Sequence, residues 1–226
     1  MHHMNHGNGS TMVPDEEFWD ARYAERDRIW SGNPNATLVR EVGDRAPGTA
    51  LELGCGEGAD AIWLATQGWR VTAVDVSGVA LGRAAEQAAA AGVADRIDWQ
   101  RRDLSLSFPE GSYDLVSAQF LHNPGEVLRE RILRTAVAAV APGGVLLIVG
   151  HAGPPPWQHG HDHDHGHGHG HPVDEFPTTD EVLAALELPA DAWEVQLSEE
   201  FTRMQDGPDG QPLERIDTAL KVRRRH

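Results

Sequence analysis

Three glycines at alternate positions, Gly54, Gly56 and Gly58, follow a short apolar segment and precede a segment of helical composition. Because glycine has no Cβ atom, such a turn can be tight and a ligand can approach its backbone closely. A helix that begins here directs its first N–H groups and the positive end of its dipole toward that ligand. The spacing predicts a ligand-binding turn. Because GCGEGA also fits the dinucleotide pattern G-x-G-x-x-A, a nicotinamide cofactor is one alternative.

Three carboxylates near this turn indicate which ligand it holds. Glu52 lies two residues before Gly54, where a carboxylate repels a pyrophosphate but suits a ligand that bears an ammonium and a sulfonium group. Asp75 ends the next strand-like segment, 17 residues after Gly58, and can accept hydrogen bonds from both ribose hydroxyls. Asp103 follows the third such segment and can accept from the exocyclic amine of adenine.

The segments ALELGCGEG and VTAVDVS resemble the signature of the Rossmann-like (class I) S-adenosylmethionine-dependent methyltransferases. YDLVSAQFLH, APGGVLLIVGH and a terminal strand pair resemble later motifs of that family, so the likeness spans about residues 45–225. The opening FWDARYAERDRIWSGNPN resembles the lid of small-molecule methyltransferases of the tellurite-resistance and thiopurine type. The resemblance implies an α/β fold with a doubly wound, seven-stranded sheet that is mostly parallel, its last strand antiparallel.

The resemblance also implies which residues bind S-adenosylmethionine. The glycines cradle its methionine part above the first carboxylate, the residues after the second and third strands hold ribose and adenine, and the lid closes over it. Gln119, at the end of the fourth strand, faces the methionine part and the acceptor pocket. The implied cofactor-binding residues are Glu52, Gly54, Gly56, Gly58, Asp75, Val76, Asp103, Leu104, Gln119, Trp30 and Asn33.

His122, directly after the fourth predicted strand, is the candidate general base. Methyl transfer mainly requires alignment, because the sulfonium already supplies a good leaving group. An imidazole at this place can take a proton from an attacking hydroxyl, thiol or amine, although a purely hydrogen-bonding histidine is the alternative. Adenine- and protein-amide methyltransferases carry an Asn/Asp-Pro-Pro-aromatic motif here. The sequence has Leu-His-Asn-Pro-Gly over residues 121–125, which argues against those acceptors.

Alternating strand-like and helical segments predict the elements that position these residues. Strands are predicted over 49–54, 70–75, 96–101, 113–121 and 145–150, and helices over 58–68, 77–91 and 125–141. This alternation implies parallel pairing in a doubly wound sheet. A further helix over 178–186 precedes a hairpin of strands 192–204 and 213–224. The chain divides into a disordered leader (1–14), a helical lid (15–44, with helices 15–30 and 36–44) and a methyltransferase domain (45–226) that carries a His-rich loop (151–172).

The His-rich loop has histidines at every second residue: His159, His161, His163, His165, His167, His169 and His171. Neutral imidazoles bind Zn, Ni, Cu and Co. A Gly-rich loop without cysteine fixes no coordination geometry, so metal binding there is expected to be weak. Three hypotheses remain: a solvated low-complexity loop, a loop that makes the chain a metal-handling protein on a methyltransferase-like fold, or a catalytic metal site.

Composition limits the partners. The 226 residues carry a formal net charge of −16, which repels phosphate backbones, so we expect no nucleic-acid partner. No window approaches the roughly 18 consecutive apolar residues of a membrane helix, and the polar N-terminus lacks the apolar core of a signal peptide. The single cysteine fits a reducing compartment. We therefore expect a cytoplasmic enzyme with a small-molecule acceptor; the sequence fixes neither the acceptor's identity nor the oligomeric state.

Overall fold

The computed structural model describes residues 16–121, 126–154, 176–207 and 209–226. The predicted leader and the seven alternating histidines of the predicted loop lie outside these ranges. Within them the chain forms seven strands: β1 (Thr49–Leu53), β2 (Arg70–Asp75), β3 (Ile97–Arg101), β4 (Tyr113–Gln119), β5 (Val140–His151), β6 (Trp193–Asp206) and β7 (Pro212–Arg224).

The seven strands form one sheet in the order β3-β2-β1-β4-β5-β7-β6. The first five strands along the chain pair in parallel, whereas β7 runs antiparallel to both of its neighbours, β5 and β6. The strand order reverses between β1 and β4, and in open α/β sheets ligands bind at the carboxyl ends of the strands beside such a reversal. The expected doubly wound, mostly parallel sheet with an antiparallel last strand is confirmed.

Six α-helices lie within the described ranges: α1 (Glu16–Ala24), α2 (Ala36–Val42), α3 (Ala59–Thr66), α4 (Gly78–Ala90), α5 (Glu126–Ala138) and α6 (Thr179–Ala185). One core cluster joins α2, α3 and α4 to one face, and a second joins α5 and α6 to the other. Successive side chains of strand β5 point to opposite faces of the sheet and so belong to different clusters: Leu147 and Val149 to the first, Leu146 and Ile148 to the second. Burial on both faces explains its continuous apolar run.

Two helix starts follow from side-chain caps that the sequence displays. Ser77 precedes α4, and its hydroxyl accepts a hydrogen bond from the Ala80 amide at 3.1 Å. Thr178 precedes α6 in a capping box with Glu181. Such caps satisfy amides that have no partner within the helix.

The structure corrects three predicted boundaries. The helix expected over 15–30 ends at Ala24, because the amides of Ile29 and Trp30 bind a carboxylate of the ligand turn instead of helical carbonyls. Strand β5 begins at Val140 rather than at residue 145, and α5 ends at Ala138 rather than at 141. Here the Tyr113 amide donates to the Ala139 carbonyl at 2.8 Å, so the backbone joins the sheet before the Pro-Gly-Gly turn.

No helix within the described ranges is both long enough and apolar enough to cross a membrane.

We expect Leu147→Ala to lower the free energy of unfolding by about 2–5 kcal/mol, because a fully buried leucine is replaced by a cavity at the centre of the sheet. Leu106→Ala is the matched control, since that side chain is 83% exposed, and should change the value by less than about 0.5 kcal/mol. Urea unfolding followed by circular dichroism measures both. Equal effects of the two substitutions would contradict the placement of β5 in the core.

Candidate cofactor site

The glycine turn lies between β1 and α3, and its three glycines have positive φ angles: +69° at Gly54, +52° at Gly56 and +80° at Gly58. Only glycine adopts this conformation without strain. The amides of Gly54 and Cys55 both donate to the Val74 carbonyl, at 2.8 and 2.9 Å, which ties the turn to β2. The chain therefore passes from strand to helix in a fixed geometry.

Amides of the glycine turn donate hydrogen bonds to acceptors within the protein. The Gly56 amide donates to Asp75 Oδ2 at 2.8 Å, and the Gly58 amide donates to the Cys55 carbonyl at 2.9 Å. A dinucleotide site of the Rossmann type relies on backbone approach and amide donors at its pyrophosphate. With the amides of residues 54, 55, 56 and 58 already engaged, the turn is poorly suited to a pyrophosphate.

Substitution at the turn would displace neighbouring side chains. A Cβ atom on Gly56 would lie 2.8 Å from the Tyr23 hydroxyl, and one on Gly58 would lie 2.6 Å from the Trp99 ring. A Cβ atom on Gly54 would lie 2.7 Å from Leu121 Cδ1. The glycines thus permit close packing of the N-terminal segment and the sheet around the turn, as well as approach of a ligand.

Glu52 is a buried carboxyl group whose Oε2 atom has no hydrogen-bond partner in the described part of the chain. Burial, and secondarily the negative charge of Asp60, raise the pKa of Glu52 well above its usual range. A buried acceptor without a partner is costly in the free protein. Its chemistry fits a cationic donor, such as the ammonium group of a bound amino-acid moiety.

Gln119 lies beside Glu52 on the neighbouring strand. Ser117 of β4 is the register partner of Glu52, and Gln119 Nε2 donates to the Ser117 hydroxyl at 3.1 Å. The Oε1 atom of Gln119 is buried and also lacks a partner among the described residues. Two unpartnered acceptors therefore lie on adjacent strands near their carboxyl ends, where the sequence predicts the methionine part of the cofactor.

Asp75 ends β2, and both of its oxygens accept backbone hydrogen bonds, from Gly56 at 2.8 Å and from Ser77 at 2.9 Å. Burial raises the pKa of Asp75, and the amides of Ser77 and Gly56 oppose that rise. These bonds hold the carboxylate against the turn, and each oxygen retains a second lone pair. The predicted ribose contact is therefore compatible with the geometry.

Acidic side chains dominate this end of the sheet. Glu52, Asp60 and Asp75 are all buried, and burial raises the pKa of each of the three. A phosphate-bearing ligand would add negative charge to this group, whereas a ligand with ammonium and sulfonium charges would offset it. The charge distribution agrees with the expectation drawn from Glu52 in the sequence.

Glu57, at the centre of the turn, holds the N-terminal segment in place. Its Oε2 atom accepts from the amides of Ile29 and Trp30, each at 3.1 Å, and its Oε1 atom accepts from Arg83 at 3.0 Å. The side chain is nearly fully buried. A carboxylate that accepts backbone hydrogen bonds anchors a loop firmly, so the segment before α2 is tied directly to the ligand turn.

Two further carboxylates anchor the same N-terminal segment. Asp60 accepts from the Asn35 amide at 2.6 Å and from Asn35 Nδ2 at 2.7 Å. Asp20 on α1 accepts from the Ser77 hydroxyl at 2.6 Å and from the Val79 amide at 3.2 Å, at the start of α4. The N-terminal segment is therefore fixed at three places around the glycine turn.

Tyr23 and Trp30 bring aromatic surface to the turn. The Trp30 indole donates to the Tyr23 hydroxyl at 3.1 Å, and both side chains approach Gly56. Burial and the nearby carboxylate of Asp75 raise the pKa of Tyr23, so its hydroxyl stays protonated. The structure brings the predicted Trp30 to the site. It leaves Asn33 exposed, with its amide donating to the Ser31 hydroxyl, and Asn35 takes the anchoring position.

The predicted adenine-side residues lie after β2 and β3. Asp103 Oδ1 accepts from the Ser105 amide at 2.8 Å, and its carbonyl closes a turn with Leu106 and Ser107. Leu104 packs against the second core cluster, and Val76 is half-buried. The structure does not test their contact with adenine, which stays a prediction.

The predicted base His122 and the seven alternating histidines lie outside the described residues. Within the ranges that the structure covers, no group of three or more His, Cys, Asp or Glu side chains is arranged to hold a metal ion. Weak binding of Zn, Ni, Cu or Co by the His-rich loop, and the metal-handling hypothesis that depends on it, stay predictions.

Sequence reasoning missed Asp20, Tyr23, Glu57 and Asp60 as parts of the site. Glu57 lies within the glycine motif and Asp60 lies just after it. Two carboxylates so close to a turn whose amides usually face an anion could have indicated that these side chains bind other parts of the chain. Asp20 and Tyr23 gave none, because their position depends on how α1 packs against α4.

The comparisons with known proteins agree with this geometry. Residues 50–144 match a family described as a methyltransferase domain. Ribosomal RNA small subunit methyltransferase C from Chromohalobacter salexigens is 36% identical over 122 residues, which cover 51% of this chain and 35% of that protein. The 27-O-demethylrifamycin SV methyltransferase from Amycolatopsis mediterranei is 35% identical over 114 residues, 49% of this chain and 40% of that protein. The chain thus spans less than half the length of these curated relatives.

Solved structures show the same fold. TehB from Haemophilus influenzae matches with a TM-score of 0.65 at 17% identity, over 93% of this chain and 67% of that chain. The N-methyltransferase NodS from Bradyrhizobium japonicum, in complex with S-adenosyl-L-homocysteine, matches with a TM-score of 0.65 at 20% identity, over 94% of this chain and 100% of that chain. At these identities the likeness concerns the fold.

We expect Glu52→Gln to stabilise the free protein but to weaken cofactor binding. Because burial raises the pKa of Glu52, ionising this group costs folding free energy, and the cost grows as the pH rises above its usual range of about 4.3. The variant should match the wild type in free energy of unfolding near pH 4 and should be the more stable of the two at pH 8. Its affinity for S-adenosylhomocysteine should fall about tenfold or more, because the neutral amide cannot pair with the ammonium group.

Urea unfolding at both pH values and calorimetric titration measure these effects. Glu86→Gln is the control, since Glu86 is exposed, and should change neither quantity. Lower stability of Glu52→Gln at pH 8, or unchanged affinity, would contradict the role given to this carboxyl group.

We expect Glu57→Gln to loosen the N-terminal segment. The amide side chain keeps its shape but loses its charge, so its bonds to the Ile29 and Trp30 amides weaken. Hydrogen exchange at these two amides should become about tenfold faster or more, while exchange at Leu147 in the core should not change. Two-dimensional NMR measures these rates in the wild type and the variant. Unchanged exchange at residues 29 and 30 would show that other contacts hold the segment.

Proposed function

We propose that this chain transfers the methyl group of S-adenosylmethionine to an O, N or S nucleophile of a small molecule, on the premise that residues 50–144 match a family described as a methyltransferase domain. The fold around the domain is that of class I methyltransferases, with the strand reversal between β1 and β4 beside the glycine turn. The proposal concerns the activity of the whole chain and the class of its acceptor.

The observation that carries the proposal is the unpartnered carboxyl oxygen of buried Glu52 beside the glycine turn. Of the ligands that suit a glycine turn in this fold, S-adenosylmethionine brings cationic groups to this place, whereas a dinucleotide brings a pyrophosphate. The engaged amides of Gly54, Cys55, Gly56 and Gly58 support the same choice. The nicotinamide alternative is disfavoured on both grounds.

S-adenosylmethionine supplies a methyl group already activated by a sulfonium. The residues of this chain bind and orient it: Glu52 accepts from its ammonium group, Asp75 from its ribose hydroxyls, and Asp103 with Leu104 borders its adenine. Trp30 and Tyr23 cover the turn from the N-terminal segment, which is held by Glu57. Alignment of nucleophile, methyl and sulfur supplies most of the rate enhancement in such a displacement.

Two observations support a small-molecule acceptor. The net charge of −16 disfavours approach of an RNA backbone, although two relatives carry the name of a ribosomal RNA methyltransferase. Another relative is named for a small-molecule acceptor, demethylrifamycin SV. His122 stays the sequence-derived candidate for a general base.

We expect wild-type protein to bind S-adenosylhomocysteine, and Gly56→Val and Asp75→Ala to weaken that binding at least about tenfold. The valine would clash with Tyr23, and the alanine removes the acceptor for ribose. Calorimetric titration measures affinity, with Glu86→Gln as the matched surface control. Tighter binding of NADH than of S-adenosylhomocysteine, or unchanged affinity in both site variants, would refute the cofactor assignment. Transfer of labelled methyl to a panel of simple phenols, thiophenols and anilines then tests turnover.

A further inference from the structure

Arg203 belongs to the edge strand β6, but its guanidinium lies at the end of β4. Strands β5 and β7 separate β6 from β4, so the two backbones are three strand spacings apart, or about 14 Å. The Arg203 Cζ atom nevertheless lies 5.4 Å from the ring centroid of Phe120, the first residue after β4. The side chain therefore reaches back across the end of the sheet to the strand that carries Gln119.

The strand register shows that Arg203 lies on the same face of the sheet as Gln119. Val149 of β5 is the register partner of Gln119, and His151 follows two residues later on the same face. Asp217 of β7 is the partner of His151, and Arg203 lies two residues after the partner of Asp217. The guanidinium therefore borders the strand end where the sequence predicts the acceptor pocket.

Two contacts hold the Arg203 guanidinium in this orientation. Its Nε atom donates to Oδ2 of Asp217, which is fully buried, and its plane carbon lies over the Phe120 ring. Phe120 is fixed in a conformation that non-glycine residues rarely adopt, with φ at +52°, and its amide donates to the Val149 carbonyl at 2.8 Å. A guanidinium held in this way loses little conformational freedom when a ligand binds.

The two terminal nitrogens of Arg203 are available to a ligand. The bond to Asp217 uses Nε, and neither terminal nitrogen donates a hydrogen bond to any residue in the described ranges. The side chain is 35% exposed, so a small molecule can reach it. The parallel N–H donors of a guanidinium match two oxygens of one carboxylate or phosphate. The geometry therefore suits a ligand group that offers two anionic oxygens.

The charges around Arg203 also favour an anion. Arg203 and Arg215 contribute two positive charges beside the one negative charge of Asp217. Burial lowers the pKa of His151, so its ring adds no charge near pH 7. A positive surplus thus lies at this strand end, in a chain whose formal net charge is −16. The surroundings of Glu52 have the opposite character, since buried carboxylates dominate there.

We propose that Arg203 is a specificity-determining residue of the methyl transfer, and that the acceptor carries a carboxylate or phosphate group which this guanidinium binds. This inference rests on the proposed function. Because the guanidinium lies over Phe120, directly after the predicted methionine contact Gln119, an acceptor bound by its anionic group is held beside the cofactor. Arg203 orients the acceptor and exchanges no proton with it, since a guanidinium stays protonated.

The first test is binding to the wild-type protein in complex with S-adenosylhomocysteine, in a buffer without carboxylate or phosphate. The Nε–H signal of Arg203 in nitrogen–proton NMR spectra, assigned by its loss in Arg203→Lys, should shift saturably on titration with benzoate or phenyl phosphate. Benzamide has the shape of benzoate without its charge and should leave the signal unchanged. A signal that neither anion moves, or that benzoate and benzamide move equally, would overturn the proposal.

The same signal distinguishes the acceptor from the carboxylate of the cofactor itself. Benzoate should shift the Arg203 signal to the same extent before and after S-adenosylhomocysteine is added. If S-adenosylhomocysteine shifts this signal and then prevents the effect of benzoate, the guanidinium binds the methionine carboxylate. That result would overturn the proposal while the cofactor assignment would stand.

The second test measures affinity for benzoate by calorimetric titration. Arg203→Gln should weaken binding of benzoate about tenfold or more, because a charge-assisted hydrogen-bonded pair is lost, and should change affinity for S-adenosylhomocysteine less than about twofold. Arg203→Lys, which keeps the charge beside Asp217 but not the parallel donors, should retain part of the affinity. Arg225→Gln is the control, since Arg225 is exposed. Equal affinity for benzoate in the wild type and in both Arg203 variants would contradict the assignment.

The third test is transfer of labelled methyl to matched acceptor pairs: 4-hydroxy-, 4-mercapto- and 4-aminobenzoate with the corresponding benzamides. The acid of at least one pair should have the higher kcat/KM, and Arg203→Gln should raise its KM about tenfold with little change in kcat. A merely structural role would lower kcat for acid and amide alike. Preference for the amide in every pair, or transfer to no member of any pair, would overturn the acceptor class. Failure to bind S-adenosylhomocysteine would instead refute the proposed function itself.

Discussion

The cofactor site depends on one costly arrangement: Glu52 is buried beside the glycine turn with a carboxyl oxygen that no described residue satisfies. Folding tolerates this cost because the strand around Glu52 is buried on both faces and cannot move the side chain to water. Asp60 and Asp75 lie close by and are also desolvated. A ligand that brings positive charge to this place recovers part of the cost, so the same burial that penalises the free protein favours a cationic cofactor.

The N-terminal segment is fixed by carboxylates that belong to the site rather than by a helix of its own. Glu57 takes the amides of residues 29 and 30, so the segment cannot continue as the helix that its composition favours. Asp60 and Asp20 fix it at two further places. The covering segment and the glycine turn thus share hydrogen bonds, and a change in one of them is transmitted directly to the other.

Buried carboxylates are compensated differently in two regions at the carboxyl ends of the strands, around Glu52 and around Asp217. Around Glu52 the carboxylates have few cationic partners, which leaves an attraction for a bound cation. At the carboxyl end of β5, Asp217 instead has His151, Arg203 and Arg215 around it, so its charge is compensated within the protein. Gln119 and the strained Phe120 separate these regions.

The sequence alone determined the order of elements, the sheet type and the glycine turn with Glu52 and Asp75, because apolar periodicity, glycine spacing and strand-end carboxylates are local signals. It did not determine that the first helix stops at Ala24, nor that Asn35 donates two hydrogen bonds to Asp60. It also gave no sign of the pair formed by His151 and Asp217, which are 66 residues apart. Such contacts arise from the register of antiparallel β7 against β5 and from the packing of α1. Only the tertiary structure decides them, because they depend on which groups, distant in the sequence, the fold brings next to the same carboxylate.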